Sequence, residues 1–261
     1  MSASVATPKR EDRPNVSIVL ATLNERGNLP EVITRILQQS LPPLEVLVVD
    51  DGSTDGTREL VSDMGQKDGR IRPLFHDGKQ TTLRAQCQGI EAARGEFVVI
   101  MDSDLQHPPE LIPNLIHELA LGASLAVASR YAPGGTPGPR PPVRAVISRA
   151  AEWIAKFMLR DARRVMDPVS GFFAFRREIF VDLNPLYRGY KLLLFVLVMN
   201  NGRRVVEVGF PFEPRSSGDS KLTQTFDFIR VFLIEAVLAK RLEQAIRASP
   251  RPGSHLPEPG A

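Results

Sequence analysis

Two aspartates after an apolar run carry the clearest chemical signal in the sequence. The segment Val98–Glu110 reads VVIMDSDLQHPPE, so Asp102 and Asp104 stand two apart directly behind four apolar residues. Carboxylate oxygens are the ligands that Mg²⁺ or Mn²⁺ prefers, and such ions often bridge to substrate phosphates. Gln106 can add an amide oxygen. The pair could instead cap a helix at Pro109, but its place after a buried-looking strand favours the metal site.

A second pair of carboxylates, Asp50 and Asp51, ends the apolar run Glu45–Val49 and precedes Gly52 and Ser53. One aspartate can cap the turn, with glycine inside it. The other can bind the base or ribose of a nucleotide, and the sequence leaves the assignment open. There is no G-x-G-x-x-G after the first predicted strand and no G-x-x-x-x-G-K-[ST], which argues against a dinucleotide site and excludes a P-loop.

Basic residues form a third group. Arg130 follows a predicted strand directly and is expected to point into the same crevice as the aspartates. Arg215 and Lys221 lie in the Gly/Ser-rich segment PRSSGDSKL, which is suited to wrapping an anion. Arginine is well shaped for bidentate contact with phosphate. The remaining members of the group are Arg140, Arg144, Arg149, Arg163 and Arg164.

The elements that must position these residues alternate between strand and helix. The pattern predicts strands at 16–21, 45–49, 71–75, 97–101 and 125–128, and helices at 28–39 (capped by Asn28), 57–64, 83–93 and 109–121. The strands are continuous apolar runs, which is typical of parallel strands buried on both faces of a doubly wound α/β sheet. Ligands bind such sheets at the carboxyl ends of the strands, where the acidic residues and Arg130 are expected.

The second half of the chain begins with a Gly/Pro-rich loop, Tyr131–Pro142, and continues with a helix at 144–160, a strand at 205–212 and a helix at 222–243. One predicted face of the first helix holds Val146, Ile147, Ala150, Ile154, Phe157 and Met158, and the other holds Arg149, Glu152, Lys156 and Arg160. The helix also contains Trp153. It could lie at a membrane interface or pack on the core. The last helix groups Phe226, Ile229, Phe232, Leu233 and Val237.

Composition indicates a globular protein. The 261 residues are 43% hydrophobic and 24% charged, with a net charge of +3. The single cysteine, Cys87, excludes an intrachain disulfide and favours a reducing, cytoplasmic compartment. Residues 1–14 show no secretory signal, and no uncharged apolar run reaches the length of a membrane span. We therefore expect a cytoplasmic protein that is soluble or lies on a membrane surface.

Six stretches together resemble the family-2 glycosyltransferases, most closely the polyprenol (dolichol) phosphate mannose synthase group. They are 21–25 (ATLNE), 48–57 (VVDDGSTDGT), 101–110 (MDSDLQHPPE), 129–135 (SRYAPGG), 167–178 (DPVSGFFAFRRE) and 215–222 (RSSGDSKL). The resemblance implies a GT-A fold with a nucleotide-sugar half at 15–130 and an acceptor-side half at 131–245. Polar tails are expected at 1–14 and 246–261.

The resemblance also implies roles by position. Asp102, Asp104 and Gln106 would hold Mg²⁺ or Mn²⁺. Ala21, Leu23, Glu25, Val49, Asp51 and Ser103 would line the nucleotide. Arg130, Arg144, Arg215 and Lys221 would hold the diphosphate and the acceptor phosphate, and Asp104, Arg130, Arg215 and Lys221 would form the catalytic set. The Ser170–Phe173 turn would shape the sugar and acceptor pocket.

The implied reaction transfers a hexose, mannose from GDP-mannose, to a polyprenyl or dolichyl phosphate with inversion, on the cytoplasmic face of a membrane. A membrane-anchoring partner protein is compatible with this, and no nucleic acid is expected. The acceptor phosphate is already an anion, so no strong general base is required. That agrees with the absence of a paired histidine motif, and His107 is expected to support the metal ligands rather than catalyse.

Four places depart from the family pattern. Ala21 and Leu23 replace a proline and an aromatic residue, the segment 79–84 around Thr81 lacks a glycine, and Phe195 replaces a glutamate. These changes keep open a UDP-sugar donor, a saccharide acceptor, or a catalytically silent homologue that serves as a binding subunit. Metal-dependent nucleotide binding would separate an enzyme from a silent subunit.

Overall fold

The computed structural model describes residues 15–76, 81–138, 142–181, 183, 189–212 and 225–248, and only the backbone of 142–144 and 225–228. The strands are β1 (Val16–Thr22), β2 (Leu44–Asp50), β3 (Ile71–Phe75), β4 (Phe97–Asp102), β5 (Leu125–Ser129), β6 (Phe173–Arg176) and β7 (Val205–Gly209). The helices are α1 (Leu29–Leu37), α2 (Thr57–Lys67), α3 (Thr82–Ala92), α4 (Ile112–Ala120), α5 (Pro142–Met158), α6 (Leu192–Asn200) and α7 (Thr225–Ala248). Short 3₁₀ segments occupy Pro109–Leu111, Asp161–Arg164 and Arg177–Ile179.

A seven-stranded sheet in the order β3-β2-β1-β4-β6-β5-β7 forms the centre of the molecule. Strands β1 to β4 are mutually parallel, and β7 is parallel to β5. Strand β6 runs antiparallel to both of its neighbours. The predicted α/β sheet of mainly parallel strands is confirmed. Strand β6 was not predicted, because its four residues FAFR are too few to show a clear strand pattern.

The strands form where the sequence predicts because both sheet faces are covered. All seven residues of β2 are buried, as are all five of β5. Helix α1 covers one face with Leu29, Val32, Ile33 and Ile36, and Pro30 preorganises its first turn. The predicted capping role of Asn28 is wrong. Its side chain makes no cap, and its Nδ2 donates to Glu25 Oε2 at 2.8 Å.

The topology brings several strand ends to one edge of the sheet. The parallel strands β1, β2, β4 and β5 end there, and the register places Ala21 beside both Val49 and Asp102. Because β6 runs in the opposite direction, its beginning lies at the same edge. The turn at 170–172 that leads into β6 is therefore brought beside the end of β4.

Helix α6 is buried along its whole length, from Leu192 to Asn200. A helix that is apolar on all sides carries no 3.6-residue periodicity, and such a helix belongs inside a protein. For this reason the sequence did not predict it. Its first turn follows Gly189, which is buried, Tyr190, which is exposed, and Lys191, which is partly buried.

The two amphipathic helices, α5 and α7, pack differently from the pattern that the sequence predicted. Helix α5 is buried at Ala151 and Ala155, whereas its apolar residues Val146, Trp153 and Phe157 are 68%, 67% and 67% exposed. The predicted polar residue Glu152 is buried. The fully buried contacts of α5 therefore use Ala151 and Ala155, with Ile154 and Met158 packed partly against the core, whereas Val146, Trp153 and Phe157 face solvent.

Helix α7 shows the same inversion. Phe232 is buried as predicted, but Ile229, Leu233 and Val237 are exposed rather than grouped with it in the core. The helix also continues to Ala248, so residues 246–248 belong to it and not to the predicted tail. Within the described residues, no helix is both long and apolar enough to cross a membrane.

Candidate active site

The acidic turn after β4 is compact and strained. Strand β4 ends at Asp102, and Leu105 adopts a positive φ of 63°, a conformation that costs energy for a residue with a branched side chain. The turn folds back so that Asp104 Oδ1 accepts the N–H of Gln106 at 3.2 Å. Asp104 is buried, whereas the Asp102 side chain is 48% exposed. The predicted metal ligands therefore share one turn with one open side.

His107 supports this turn from behind. Its Nδ1 accepts the N–H of Asp102 at 3.1 Å, and its ring stacks on Phe172 with a centroid separation of 5.3 Å. Burial lowers the pKa of His107, although the nearby Asp102 and Asp104 oppose that shift. A neutral ring that accepts at Nδ1 carries its proton on Nε2. His107 is thus placed to hold the end of β4.

Gly171 forms the wall opposite Asp102. A Cβ atom built on Gly171 would lie 3.1 Å from Asp102 Oδ2 and 3.2 Å from His107 Cε1, so the site leaves little room for a side chain here. The neighbouring Ser170 fixes the turn, because its Oγ donates to the carbonyl oxygen of Ala128 at 2.7 Å. The 170–172 turn and the acidic turn are therefore in direct contact.

The donor set fits a hard divalent cation. Asp102, Asp104 and Gln106 offer carboxylate and amide oxygens, which suit Mg²⁺ or Mn²⁺. No group of three His, Cys, Asp or Glu side chains suited to a metal occurs within the described residues. Magnesium is commonly bound by one or two carboxylates with water and substrate phosphate completing its shell. The capping alternative is not observed, since the 3₁₀ segment at Pro109 has no side-chain cap.

Arg130 follows β5 and is held by Asp167. Its Nε lies 2.7 Å from Asp167 Oδ2 and its Nη2 lies 2.7 Å from Oδ1. Asp167 is fully buried, and the Arg130 side chain is 12% exposed. Burial alone would lower the pKa of Arg130, but Asp167 raises it, so the guanidinium stays charged. The pair orients a cation beside the acidic turn.

Glu207 on β7 holds the segment that carries Asp167. Its Oε2 accepts the N–H of Met166 at 2.7 Å, and its Oε1 accepts the N–H of Asp167 at 3.0 Å. The edge strand β7 thereby fixes the backbone that positions the partner of Arg130. Neither Glu207 nor the pairing role of Asp167 was predicted, because the contact joins residues distant in sequence.

Lys191 is a further cation at the site that sequence reasoning missed. Its Nζ donates to the carbonyl oxygen of Val169 at 3.0 Å. Burial lowers the pKa of Lys191 and Arg130 lowers it further, while Asp102 opposes the shift. A signal was present in the sequence, since Lys191 directly precedes the wholly apolar run Leu192–Met199 and would be drawn inward by it.

Glu235 of α7 fixes the backbone next to Lys191. Its Oε1 accepts the N–H of Tyr190 at 2.6 Å and that of Lys191 at 2.8 Å. Oε2 is buried and has no hydrogen-bond partner among the described residues. Burial raises the pKa of Glu235 to about 7. Gly189 is required here, because a Cβ atom would collide with Oε1.

The two aspartates after β2 have separate environments. Asp50 caps the turn, with its Oδ1 accepting N–H groups from Gly52 at 3.2 Å and Ser53 at 3.0 Å and an ion pair from Arg58 at 2.7 Å. Gly52 has the positive φ, 88°, that this turn needs. Asp51 lies at the sheet edge, and its N–H donates to the carbonyl oxygen of Thr22 at 2.9 Å. The structural role falls to Asp50, and Asp51 remains the candidate for the nucleotide.

The other residues that were predicted to bind the nucleotide differ in how exposed they are. Leu23, Glu25 and Ala21 are partly buried at the sheet edge, and Ser103 is buried in the acidic turn. Val49 is fully buried in the core, so only its backbone can reach a nucleotide. Arg215, Lys221 and Lys79 lie outside the described residues, as does the Arg144 side chain.

Comparison with known proteins places this site in a family. The model of glycosyl transferase family 2 matches residues 17–183. A dolichol-phosphate mannosyltransferase of Pyrococcus furiosus is 39% identical over 221 residues, which cover 82% of this chain but 62% of that protein. A polyprenol monophosphomannose synthase of Mycolicibacterium smegmatis is 35% identical, with coverage of 79% and 80%. The chain thus spans less than two thirds of the Pyrococcus relative.

Solved structures agree on the fold. Glucosyl-3-phosphoglycerate synthase of Mycobacterium tuberculosis, crystallised with Mn²⁺, UDP-glucose and phosphoglyceric acid, superposes with a TM-score of 0.67 at 22% identity. The match covers 88% of this chain and 80% of that one. The likeness shows a GT-A fold, and together with the match to the family model it shows that this chain belongs to glycosyl transferase family 2.

Proposed function

We propose that this protein is a divalent-cation-dependent transferase that moves mannose from GDP-mannose to a polyprenyl or dolichyl phosphate with inversion. The observation that carries the proposal is the contact between the acidic turn, Asp102–Gln106, and the turn at 170–172. Arg130, which is fixed by Asp167, stands at the same edge. Relatives named for this reaction support the choice of donor and acceptor.

The charged residues at the carboxyl edge of the sheet suit the negative charge that develops in such a reaction. A nucleoside diphosphate leaving group gains negative charge as its bond to the sugar breaks. The bound cation on Asp102 and Asp104 would supply electrostatic stabilisation of that charge. Arg130 is charged and oriented for an anionic oxygen, and Lys191 stands behind the same turn. Arg215 and Lys221 complete the proposed set.

Transfer in this site needs no general base. An oxygen of the acceptor phosphate attacks the anomeric carbon, and the bond from that carbon to the diphosphate breaks on the opposite face. The phosphate is already ionised at neutral pH, so no proton has to leave. His107, the histidine next to the acidic turn, is buried and engaged with the backbone of Asp102. Its environment agrees with a supporting role.

The acceptor suggests a lipid surface, on the cytoplasmic face of a membrane, as the place of action. Val146, Trp153 and Phe157 on α5, together with Ala150, form an exposed apolar stripe at a spacing of three and four residues. The rings of Trp153 and Phe157 stack with a centroid separation of 5.5 Å. Large exposed apolar patches mark interaction or membrane sites. A membrane-anchoring partner protein remains part of the proposal.

The decisive experiment measures transfer of labelled sugar to a polyprenyl phosphate in detergent. GDP-mannose, UDP-glucose and UDP-N-acetylglucosamine are compared, each with Mg²⁺, Mn²⁺ or EDTA. We expect cation-dependent product from GDP-mannose and loss of that product in Asp104→Ala. Asp63→Ala on α2, exposed and remote in sequence from the acidic turn, is the matched control.

Each other result has a defined meaning. Product only from a UDP-sugar would retain the mechanism and change the donor. A parallel assay offers a saccharide acceptor, and product there but not with the lipid phosphate would change the acceptor. No product, together with no cation-dependent binding of GDP or UDP, would favour a catalytically silent binding subunit.

A further inference from the structure

A cavity far along the chain from the acidic turn is lined by arginines. It has a volume of about 430 Å³, and its lining consists of Arg160, Asp161, Arg164, Asn201, Gly202 and Arg247. Three guanidinium groups face one carboxylate in this lining. The cavity lies where the 3₁₀ segment after α5, the end of α6 and the end of α7 meet. We call it the arginine pocket.

The arginines of this pocket are loosely held, unlike Arg130. The nearest ion-pair distances are 3.8 Å from Arg164 to Asp161 and 3.6 Å from Arg247 to Glu243. The two arginine side chains are 42% and 40% exposed. Glu243 is already engaged, because its Oε2 lies 2.6 Å from Lys240 Nζ. The guanidinium groups therefore retain capacity to bind an added anion.

The lining of the pocket has a positive net charge. It contains three arginines and one carboxyl group, that of Asp161. Burial and Glu243 raise the pKa of Asp161, whereas Arg247, Arg164 and Arg160 lower it. Three arginines around one carboxyl group keep the lining net positive in either form of Asp161 and make it complementary to a phosphate.

The exposed apolar faces of α5 and α7 both lead towards this pocket. Beyond α5, Arg160 follows Trp153 by seven residues, and its backbone keeps helical angles of −64° and −42°. Helix α5 ends at Met158, so Arg160 lies two residues beyond the helix that carries the Val146–Phe157 stripe. On α7, Arg247 follows Ile229 by about five turns and continues the face of Ile229, Leu233 and Val237. The chain beyond α5 and the last turn of α7 thus each bring an arginine to the same cavity.

We infer that the arginine pocket binds the head-group phosphate of an anionic phospholipid while the adjoining apolar faces contact the acyl region. This pattern of apolar residues that end in basic ones is typical of helices that lie on membranes. A free phosphate would match the charge but would leave the two apolar faces unexplained. The inference rests on the proposed action at a lipid surface and adds a specific lipid site to it.

Vesicle sedimentation of the full chain tests the inference. Vesicles of phosphatidylcholine are compared with vesicles of phosphatidylcholine and phosphatidylglycerol in equal parts. The wild type is expected to prefer the anionic vesicles. The double variant Arg164→Gln with Arg247→Gln should bind them about 30-fold more weakly, because each arginine near the surface contributes about 1 kcal/mol. The matched control pair is Arg70→Gln with Arg94→Gln, two exposed arginines that lie outside α5, α7 and the pocket. The affinity of this control pair for the anionic vesicles should fall by less than about fivefold.

Several outcomes would overturn the inference. If the pocket pair and the control pair lose the same affinity for anionic vesicles, the effect is one of general surface charge. If the wild type binds both vesicle types equally well, there is no preference for anionic lipid. Calorimetry with inorganic phosphate separates the sources. Phosphate binding that the pocket variants abolish, without any change in vesicle binding, would make the site one for a free anion.

Two controls keep these results interpretable. Thermal melting checks folding, and Arg160→Gln replaces the pair if the pair unfolds. Transfer in detergent should stay at the wild-type rate in all pocket variants. Failure of the lipid site is thereby distinguishable from failure of the transferase proposal, which would abolish transfer in the wild type as well.

Discussion

Arg130 and Asp167 form a two-point ion pair across the carboxyl edge of the sheet, with both N–O distances at 2.7 Å. The pair joins the end of β5 to the turn that leads into β6. Asp167 also accepts the backbone N–H of Arg130 at 3.3 Å. The carboxylate therefore fixes both the backbone and the guanidinium group of Arg130, and the orientation of this cation depends on a fully buried partner.

Replacement of Asp167 by asparagine should cost both stability and activity. The change leaves the Arg130 charge buried without its partner, which typically costs about 3–5 kcal/mol of unfolding free energy. Urea unfolding and the transfer assay measure the two effects. The double variant Asp167→Asn with Arg130→Gln should recover part of the stability but no transfer. Unchanged stability in Asp167→Asn would contradict the buried pair.

Gly171→Ala tests the contact between the two turns. The added methyl would lie 3.1 Å from Asp102 Oδ2, so the carboxylate must move by a few tenths of an ångström. We expect the Mg²⁺ concentration for half-maximal transfer to rise about tenfold, equivalent to about 1.4 kcal/mol, with a smaller change in melting temperature. Gly69→Ala is the control, because its methyl would meet no atom within 4 Å. If both variants need the same Mg²⁺ concentration for half-maximal transfer, the cation does not bind beside Gly171.

The sequence predicted the elements of residues 15–130 well and those of the second half poorly, for physical reasons. Strands such as β2 are short apolar runs that end in Asp50, and local pattern suffices to recognise them. Parallel strands then bring their ends together without further information. Helix α6 lacks periodicity, and the partners of Arg130 and Lys191 come from distant segments. Only the folded chain shows that Asp167, Glu207 and Glu235 converge there.

The helices α5 and α7 illustrate a different limit. Periodicity identified apolar faces on both, but it cannot say what an apolar face contacts. In α5 the small residues Ala151 and Ala155 allow close packing, and the larger Trp153 and Phe157 remain outside. Ile154 and Met158 of the same helix pack partly against the core, so neither periodicity nor residue size alone predicts which apolar side chains of α5 are buried.

Lys191→Met should separate activity from stability. Lys191 is partly buried and burial lowers its pKa, so an apolar side chain of similar length removes the cost of desolvating the charge and should change the stability of the fold little. Loss of an oriented charge near a leaving group typically lowers kcat by about 100-fold. Transfer kinetics and urea unfolding test this split. The exposed Lys67→Met on α2 serves as the control, and a wild-type kcat in Lys191→Met would remove Lys191 from the site.

Glu235 should make stability depend on pH in a defined direction. Its folded-state pKa of about 7 lies above the ordinary 4.5 of an unfolded glutamate, so the folded protein binds the proton more tightly. The contribution of Glu235 is most favourable below about pH 4.5 and declines as pH rises to about 7. The decline amounts to roughly 3 kcal/mol from the pKa difference.

The Glu235→Gln variant isolates this contribution. Glutamine keeps an oxygen for the N–H groups of Tyr190 and Lys191 but does not titrate. The difference in unfolding free energy between wild type and variant should therefore change between pH 4.5 and pH 7, the window set by the raised pKa, and stay constant above it. A difference that is independent of pH would show that Glu235 titrates normally. Glu178→Gln, on the 3₁₀ segment before α6, is an exposed control.

Trp153 and Phe157 should govern binding to membranes without contributing to the fold. Both side chains are 67% exposed, and substitutions at such positions usually change stability by less than about 0.5 kcal/mol. Transfer of each side chain into the acyl region is worth about 1.5–3 kcal/mol, so Trp153→Ser with Phe157→Ser should weaken vesicle binding by at least about 100-fold. Transfer to a long-chain acceptor in vesicles should fall accordingly, whereas transfer to a short, water-soluble acceptor should not. Leu121→Ser, a 57% exposed apolar residue after α4, controls for surface hydrophobicity in general. If the two sets of variants bind vesicles equally well, the stripe on α5 does not contact the bilayer, and a protein partner becomes the occupant to test.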